Sequence, residues 1–309
     1  MKNKKLPNVT IAILAYNAEM NIVRLLKALT KQCCKTVVIK KIILLSDASN
    51  DKTVSRAKSI KDPRIKIIDN KTRLGFAGGV KKILTSATSD IVVLLNDDVV
   101  IKSNLLIERL CMPFIANVRV GLVGGGINPL PSQNLIQKTA ELGFVLLKRV
   151  YYDMSNIHNN FTCDGKILAL SKKFYKNIVF PNNLDEMGNV DSYLYFLCLS
   201  YNLAYRFVPE ASVYFKFVDN FNDFVKFNIR NIHSAAIIRN TFPKLVAVEP
   251  QPDKSFFQYL SKIELFILLP YILILFSLHF WVSLVDRGNK VSFSHVWSVV
   301  ESTKKLDRI

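Results

Sequence analysis

Two adjacent carboxylates at the end of an apolar strand are the first residues in this chain equipped for chemistry. Asn96-Asp97-Asp98 follows the run Ile91–Leu95. Neighbouring carboxylates repel, and a shared divalent cation relieves that repulsion. Their hard oxygens suit Mg2+ or Mn2+, with a diphosphate completing the coordination sphere. Asn and Asp also favour an ordinary solvated turn, so this cluster by itself leaves both uses open.

Two further clusters occupy equivalent places. Ser46-Asp47-Ala48-Ser49-Asn50-Asp51 closes the preceding strand of this type. Its short polar side chains can hydrogen-bond a base or a ribose, and they can equally cap the helix that starts near Thr53. Within it Asp47 is the expected ligand contact and Asp51 the expected structural residue. Gly75-Phe76-Ala77-Gly78-Gly79 opens a helix just after Lys71 and Arg73. Glycines there let the backbone approach a ligand, and the free N–H groups of a helix start attract anions; a plain turn is the alternative.

The elements that carry these clusters alternate. Val9–Leu14, Val37–Leu45, Ile65–Ile68 and Ile91–Leu95 are apolar runs of strand length, separated by helical spacings such as Ile22, Leu25, Leu26 and Leu29. That alternation predicts a mostly parallel, doubly wound α/β sheet. Ligands in such sheets sit beyond the carboxyl ends of the strands, where all three clusters fall. From residue 101 to about 250 the pattern is mixed. Helices are predicted at Asp191–Ser200 and Asp223–Arg239, with a strand at Ala204–Val208 running into Pro209-Glu210.

Leu265–Val285 holds 21 residues without Asp, Glu, Lys or Arg. As a helix it is about 32 Å long, enough to cross a hydrocarbon core of about 30 Å. A membrane-spanning or membrane-embedded helix over 259–287, with a short basic tail at 288–309, is therefore expected. The net charge of +18, from 42 basic and 24 acidic residues, favours anionic partners. The basic residues are scattered in ones and twos without a nucleic-acid-binding motif, so nucleic acid is not expected as a partner. Five cysteines without metal-ligand spacing suit a reducing compartment. The opening MKNKKLPNVT has charge without an apolar core, so no signal peptide is expected. The sequon Asn160-Phe161-Thr162 would go unused in a cytosolic domain, and His233 and His295 form no metal-site pattern.

In order and spacing, the clusters together resemble the family 2 glycosyltransferases, which have a GT-A fold. Leu14-Ala15-Tyr16-Asn17 matches the family's first strand end without its proline. Ser46–Thr53 matches an Asp-Asp-Gly-Ser-x-Asp-x-Thr segment with Ser for the first Asp and Ala for the Gly. The Gly-Phe-Ala-Gly-Gly segment is complete. Asn96-Asp97-Asp98 stands for Asp-x-Asp, an Asn-x-Asp variant similar to that of rhamnosyl- and related transferases. Asp191 lies eighteen residues before Pro209-Glu210-Ala211, the family's spacing for its base, although Val190 replaces the usual Glu. Of the Gln-x-x-Arg-Trp motif of processive members, only Arg230 survives in Phe227–Asn231.

The resemblance implies an inverting transfer of a sugar from a nucleotide diphosphate donor, with residues 1–100 as the donor half and 101–250 as the acceptor half. Asp191 is then the general base, with Asp185 and Glu186 as weaker substitutes, and Asp98 the metal ligand for Mg2+ or Mn2+. Tyr16, Asn17, Asp47, Ser49, Gly75, Gly78, Gly79, Asp97 and Arg230 are the implied donor contacts. Arg230 is equally readable as a solvated helix residue. The hydrophobic helix implies a membrane-associated enzyme with its catalytic domain cytoplasmic, in contact with membrane lipid and acting on a glycan or a polyprenyl-phosphate-linked acceptor. Two rivals remain open: a nucleotidyltransferase, and a non-catalytic membrane-attached scaffold that kept the fold.

Overall fold

The structure, a computed structural model, describes residues 5–154, 157–181, 189–252, 255–288, 300–304 and 306. An eight-stranded sheet forms its centre. The strands are β1 (Asn8–Ala15), β2 (Val38–Ser46), β3 (Ile65–Asp69), β4 (Ile91–Asn96), β5 (Val99–Val100), β6 (Val120–Pro129), β7 (Ile167–Ser171) and β8 (Ala204–Phe215). Their spatial order is β3-β2-β1-β4-β7-β6-β8-β5. The first four are parallel, β7 runs antiparallel to both β4 and β6, β8 is parallel to β6, and β5 is antiparallel to β8.

The helices are α1 (Ile22–Thr30), α2 (Thr53–Lys58), α3 (Gly75–Ser86), α4 (Leu106–Ala116), α5 (Leu135–Tyr152), α6 (Lys172–Tyr175), α7 (Val190–Ser200), α8 (Phe221–Thr241), α9 (Pro243–Ala247) and α10 (Lys262–Gly288). Alternation along the central strands builds two cores. Ile11, Ile13, Ile42, Leu44, Val93 and Leu95 pack on α1 and α4. The intervening Ala12, Leu14, Ile43, Leu45, Val92 and Leu94 pack on α3. Burial on both faces is what a doubly wound sheet requires of its strands, and the predicted fold class stands.

Three local features of the fold have physical causes. The glycine cluster forms the first turns of α3. A Cβ on Gly79 would come within 2.5 Å of Leu14 Cδ2, so glycine there lets helix and strand close up. β8 continues past Val208 to Phe215, because its pairing with β6 jumps from Gly125↔Val208 to Gly126↔Ser212. That bulge absorbs Pro209, whose missing N–H would break a regular ladder. α10, long and apolar enough to cross a membrane, does not stand away from the domain. Leu265, Leu268 and Ile272 pack on Leu142 and Leu146 of α5. Leu275, Leu278, Val282 and Val285 pack among Ala140, Phe224 and Ile229 of α5 and α8.

Candidate active site

The carboxyl ends of β1, β2 and β4 lie side by side, and their loops are laced together by side-chain hydrogen bonds. Asn17 holds a left-handed φ of 49°. Its N–H donates to Ser49 Oγ at 3.1 Å, and its side-chain oxygen accepts from Asn50 N at 3.0 Å. Asp51 accepts from Glu19 N and from Thr53 N, the structural role expected of it. Asp47 is buried, and both its oxygens are committed: Leu74 N donates to one at 2.7 Å and Gly75 N to the other at 2.9 Å. Asp47 thereby clamps the entrance of α3, where Gly75 takes φ 70°. Arg73 lies 3.8 Å from the Asp47 carboxylate and covers the Tyr16 ring at 3.6 Å from its centroid. Tyr16, Asn17, Asp47, Ser49 and Gly75 thus form one continuous floor.

At the tip of β4 the two acids diverge. Asp97 is buried, accepts from Tyr16 N at 2.9 Å and pairs with Lys304 Nζ at 2.8 Å. Asp98 accepts from Thr303 Oγ1 at 3.2 Å through Oδ2. Its Oδ1 is buried and takes no hydrogen bond, and neither does the buried side-chain oxygen of Asn96. Burial first, and the charge of Asp97 second, raise the pKa of Asp98. Buried oxygens without partners are costly. Two of them at one strand tip, with a carboxyl that repels its neighbour, fit a hard divalent cation. Among the described residues no cluster of three His, Cys, Asp or Glu side chains forms a complete protein cage. A cation at Asp98 would therefore draw its remaining ligands from elsewhere.

Because β7 runs against its neighbours, the turn before it arrives at this same rim. It delivers Asp164, Gly165 and Lys166. Lys166 O accepts from Asn96 N at 3.3 Å. Gly165 N donates to Asp191 Oδ2 at 2.8 Å, and Ser192 N donates to Asp191 Oδ1 at 2.8 Å. Asp191 is the second residue of α7. Burial, and then the charge of Asp164, push its carboxyl up to about 6, against the two backbone N–H groups and Lys166, which pull it down. Asp185 and Glu186, the substitutes, lie outside the described residues.

Arg230 joins the two groups. Its Nε is buried without a partner, which corrects the reading of it as a solvated helix residue. Burial lowers its pKa, opposed by the carboxylates of Asp191, Asp98 and Asp164. Its charge is thus felt by the carboxyls of both groups. Of the remaining expected contacts, Gly78 and Gly79 sit within α3, Gly79 facing Leu14 and therefore packing against β1. No sequence cue pointed to Asp164, Lys166, Thr303 or Lys304. Asp164-Gly165 is an ordinary turn dipeptide, and Thr303 with Lys304 reach the acids from more than two hundred residues away.

A mostly parallel, curled sheet with acids gathered at one rim defines a GT-A-type fold. The sequence profile of glycosyl transferase family 2 matches residues 10–178, and the chain belongs to that family. No curated protein sequence matches it. Among solved structures, it resembles a mannosyltransferase from Pyrobaculum calidifontis in complex with GDP-Man and Mn2+. The TM-score is 0.55 at 17% identity, over 76% of this chain and 65% of that one, so this chain spans just under two thirds of that relative. It also resembles glucosyl-3-phosphoglycerate synthase from Mycobacterium tuberculosis in complex with Mn2+, UDP and glucosyl-3-phosphoglycerate. There the TM-score is 0.52 at 14% identity, over 77% and 80% of the two chains. Likenesses at such identities speak for the fold alone.

Proposed function

We propose that this chain is an inverting glycosyltransferase, moving a sugar from a nucleotide diphosphate donor to a glycan or a lipid-linked acceptor such as a polyprenyl phosphate. The observation that carries the proposal is the turn before β7, which bonds Asp191, a carboxyl suited to proton transfer, through Gly165 N and the tip of β4, beside the cation-suited Asp98, through Lys166 O. Asp191, with a pKa of about 6, is ionised at neutral pH and basic enough to take the proton of an acceptor hydroxyl. Asp98 and Asn96 would hold Mg2+ or Mn2+, which when bound supplies positive charge against the departing diphosphate. The floor of Tyr16, Asn17, Asp47 and Ser49 would carry the nucleoside, with Arg73 fixing the Tyr16 ring. Both structural relatives named above were solved with Mn2+ and a nucleotide, which supports this assignment of the rim. The Asn-x-Asp form of the acid motif favours a rhamnosyltransferase-like donor preference.

Attachment to a membrane through α10, with the catalytic domain on the cytoplasmic side, would bring the site to lipid-linked substrates. A nucleotidyltransferase is disfavoured by Ala15-Tyr16-Asn17 after β1, where a glycine-rich loop would be needed. A scaffold without activity is separated by experiment. Nucleotide sugars are screened for Mn2+-dependent release of free nucleotide by the native chain and two variants. Asp191→Asn is expected to lose turnover by about 10²–10⁴-fold while keeping nucleotide affinity. Asp98→Ala is expected to lose the Mn2+-dependent part of nucleotide binding. Retained turnover in the first variant removes Asp191 as base, and unchanged affinity in the second removes Asp98 as ligand.

A further inference from the structure

We infer that α10 is an in-plane anchor, lying along one leaflet of an anionic membrane instead of crossing it. The inference rests on the membrane attachment proposed above and not on the transfer reaction. Leu265, Leu268, Ile272, Leu275, Val282 and Val285 recur at intervals of three, four and seven residues, and all pack on the domain. This docked stripe rises about 30 Å along the helix axis, the full depth of a hydrocarbon core. At Gly143 the fit is close: a Cβ there would meet Leu275 Cδ2 at 3.1 Å. Polar contacts fasten both ends. Arg149 Nη1 lies 3.1 Å from Glu264, and His233 Nε2 lies 2.6 Å from Asp286.

A spanning pose would drag α5 and α8 through the hydrocarbon with their docked partner. Those helices carry Lys138, Glu141, Lys148, Arg149, Lys226 and Arg230 over the docked length, and charges at that depth are strongly disfavoured. It would also set the two end clamps on opposite sides of the bilayer. The in-plane pose avoids both conflicts. The opposite face of α10 presents Ile263, Phe266, Leu273, Phe276, Phe280 and Leu284, each 44% exposed or more, in one strip. A strip of that length, uninterrupted by charge, suits burial at the boundary of headgroups and acyl chains. Charge selects the partner. Besides the buried Arg230, the two helices that cradle α10 hold five basic residues against two acidic ones, and the whole chain carries +18, matching anionic headgroups.

The test uses the full chain in sealed vesicles prepared from expressing cells. Single cysteines are introduced by Lys262→Cys or Arg287→Cys in a Cys33→Ser, Cys34→Ser background and challenged with a membrane-impermeant maleimide. In-plane placement predicts that both ends label from the same side, at rates within about twofold of each other; a crossing helix leaves one end at least about tenfold slower until detergent is added. The purified native chain is expected to float with phosphatidylglycerol-containing vesicles. A Phe266→Asp, Phe276→Asp double variant is expected to lose flotation by about tenfold or more while keeping its melting temperature. Labelling of the two ends from opposite sides overturns the in-plane placement alone. Failure of the native chain to float overturns the attachment as well. A detergent-free dimer that the double variant dissolves would assign the strip to a second copy of the chain.

Discussion

Asp191 shows how environment, more than residue type, prepares a side chain for catalysis. Its carboxyl is buried beside Asp164, both of which favour the neutral form, while the Gly165 and Ser192 N–H groups favour the anion. The balance leaves its pKa at about 6. A base must be ionised to accept a proton, so turnover is expected to rise about tenfold per pH unit below pH 6 and to level off above it. A pH–rate profile checks this, and a limb centred near an ordinary carboxylate value would refute it. The same shift bears on stability. The folded chain holds this proton at pH values where the unfolded chain has released it. The residue's contribution to stability therefore declines as pH rises from the usual carboxylate range to about 6, and stays reduced beyond.

At the scale of elements, β6 and β8 show why the sheet tolerates only glycine at some positions. A Cβ on Gly125 would stand 2.4 Å from the backbone oxygen of Ala211, which cannot swing aside as a side chain can. Gly125→Ala is expected to destabilise the protein by about 1–3 kcal/mol, measured as a lower denaturant midpoint with unchanged slope; an unaltered midpoint would mean that the bulge yields. This bulge was not legible in the sequence, because Pro209-Glu210 looks like a strand end unless its partner strand is known. The first four strands and their helices were legible, since apolar runs buried on both faces announce themselves by composition. β7 was not. Ile167–Ser171 is a five-residue strand whose antiparallel placement depends on neighbours distant in sequence. The site followed the same division. Candidates at the ends of regular parallel strands could be named from the sequence, whereas Asp164 and Lys166, on the turn before the reversed strand, could not. Arg230 could be named from its motif position, but its burial depends on tertiary packing.

Across the whole molecule, Lys304 and Leu306 bring a segment distant in sequence back to the acid pair. Lys304 bonds to the Tyr16 carbonyl and to Asp97, Lys304 O accepts from Asn21 Nδ2, and Leu306 is fully buried against Val100 and Leu130. The Lys304 ammonium offsets negative charge on Asp97 and Asp98. Its side chain is 20% exposed and that of Asp97 6%, so Lys304→Met is expected to cost about 1–3 kcal/mol, less than the loss of one partner from a fully buried pair. Added Mn2+ should then raise the melting temperature of the variant more than that of the native chain. Superimposable melts with and without the metal in both proteins would deny Lys304 that role. One feature of the rim also links the halves of the molecule. Gly165-Lys166 holds Asp191 through one N–H and the tip of β4 through the next carbonyl. A single dipeptide therefore acts as a gauge block between proton acceptor and acid cluster. Lengthening it by even one residue would spoil both settings at once, however well the rest of the fold survived.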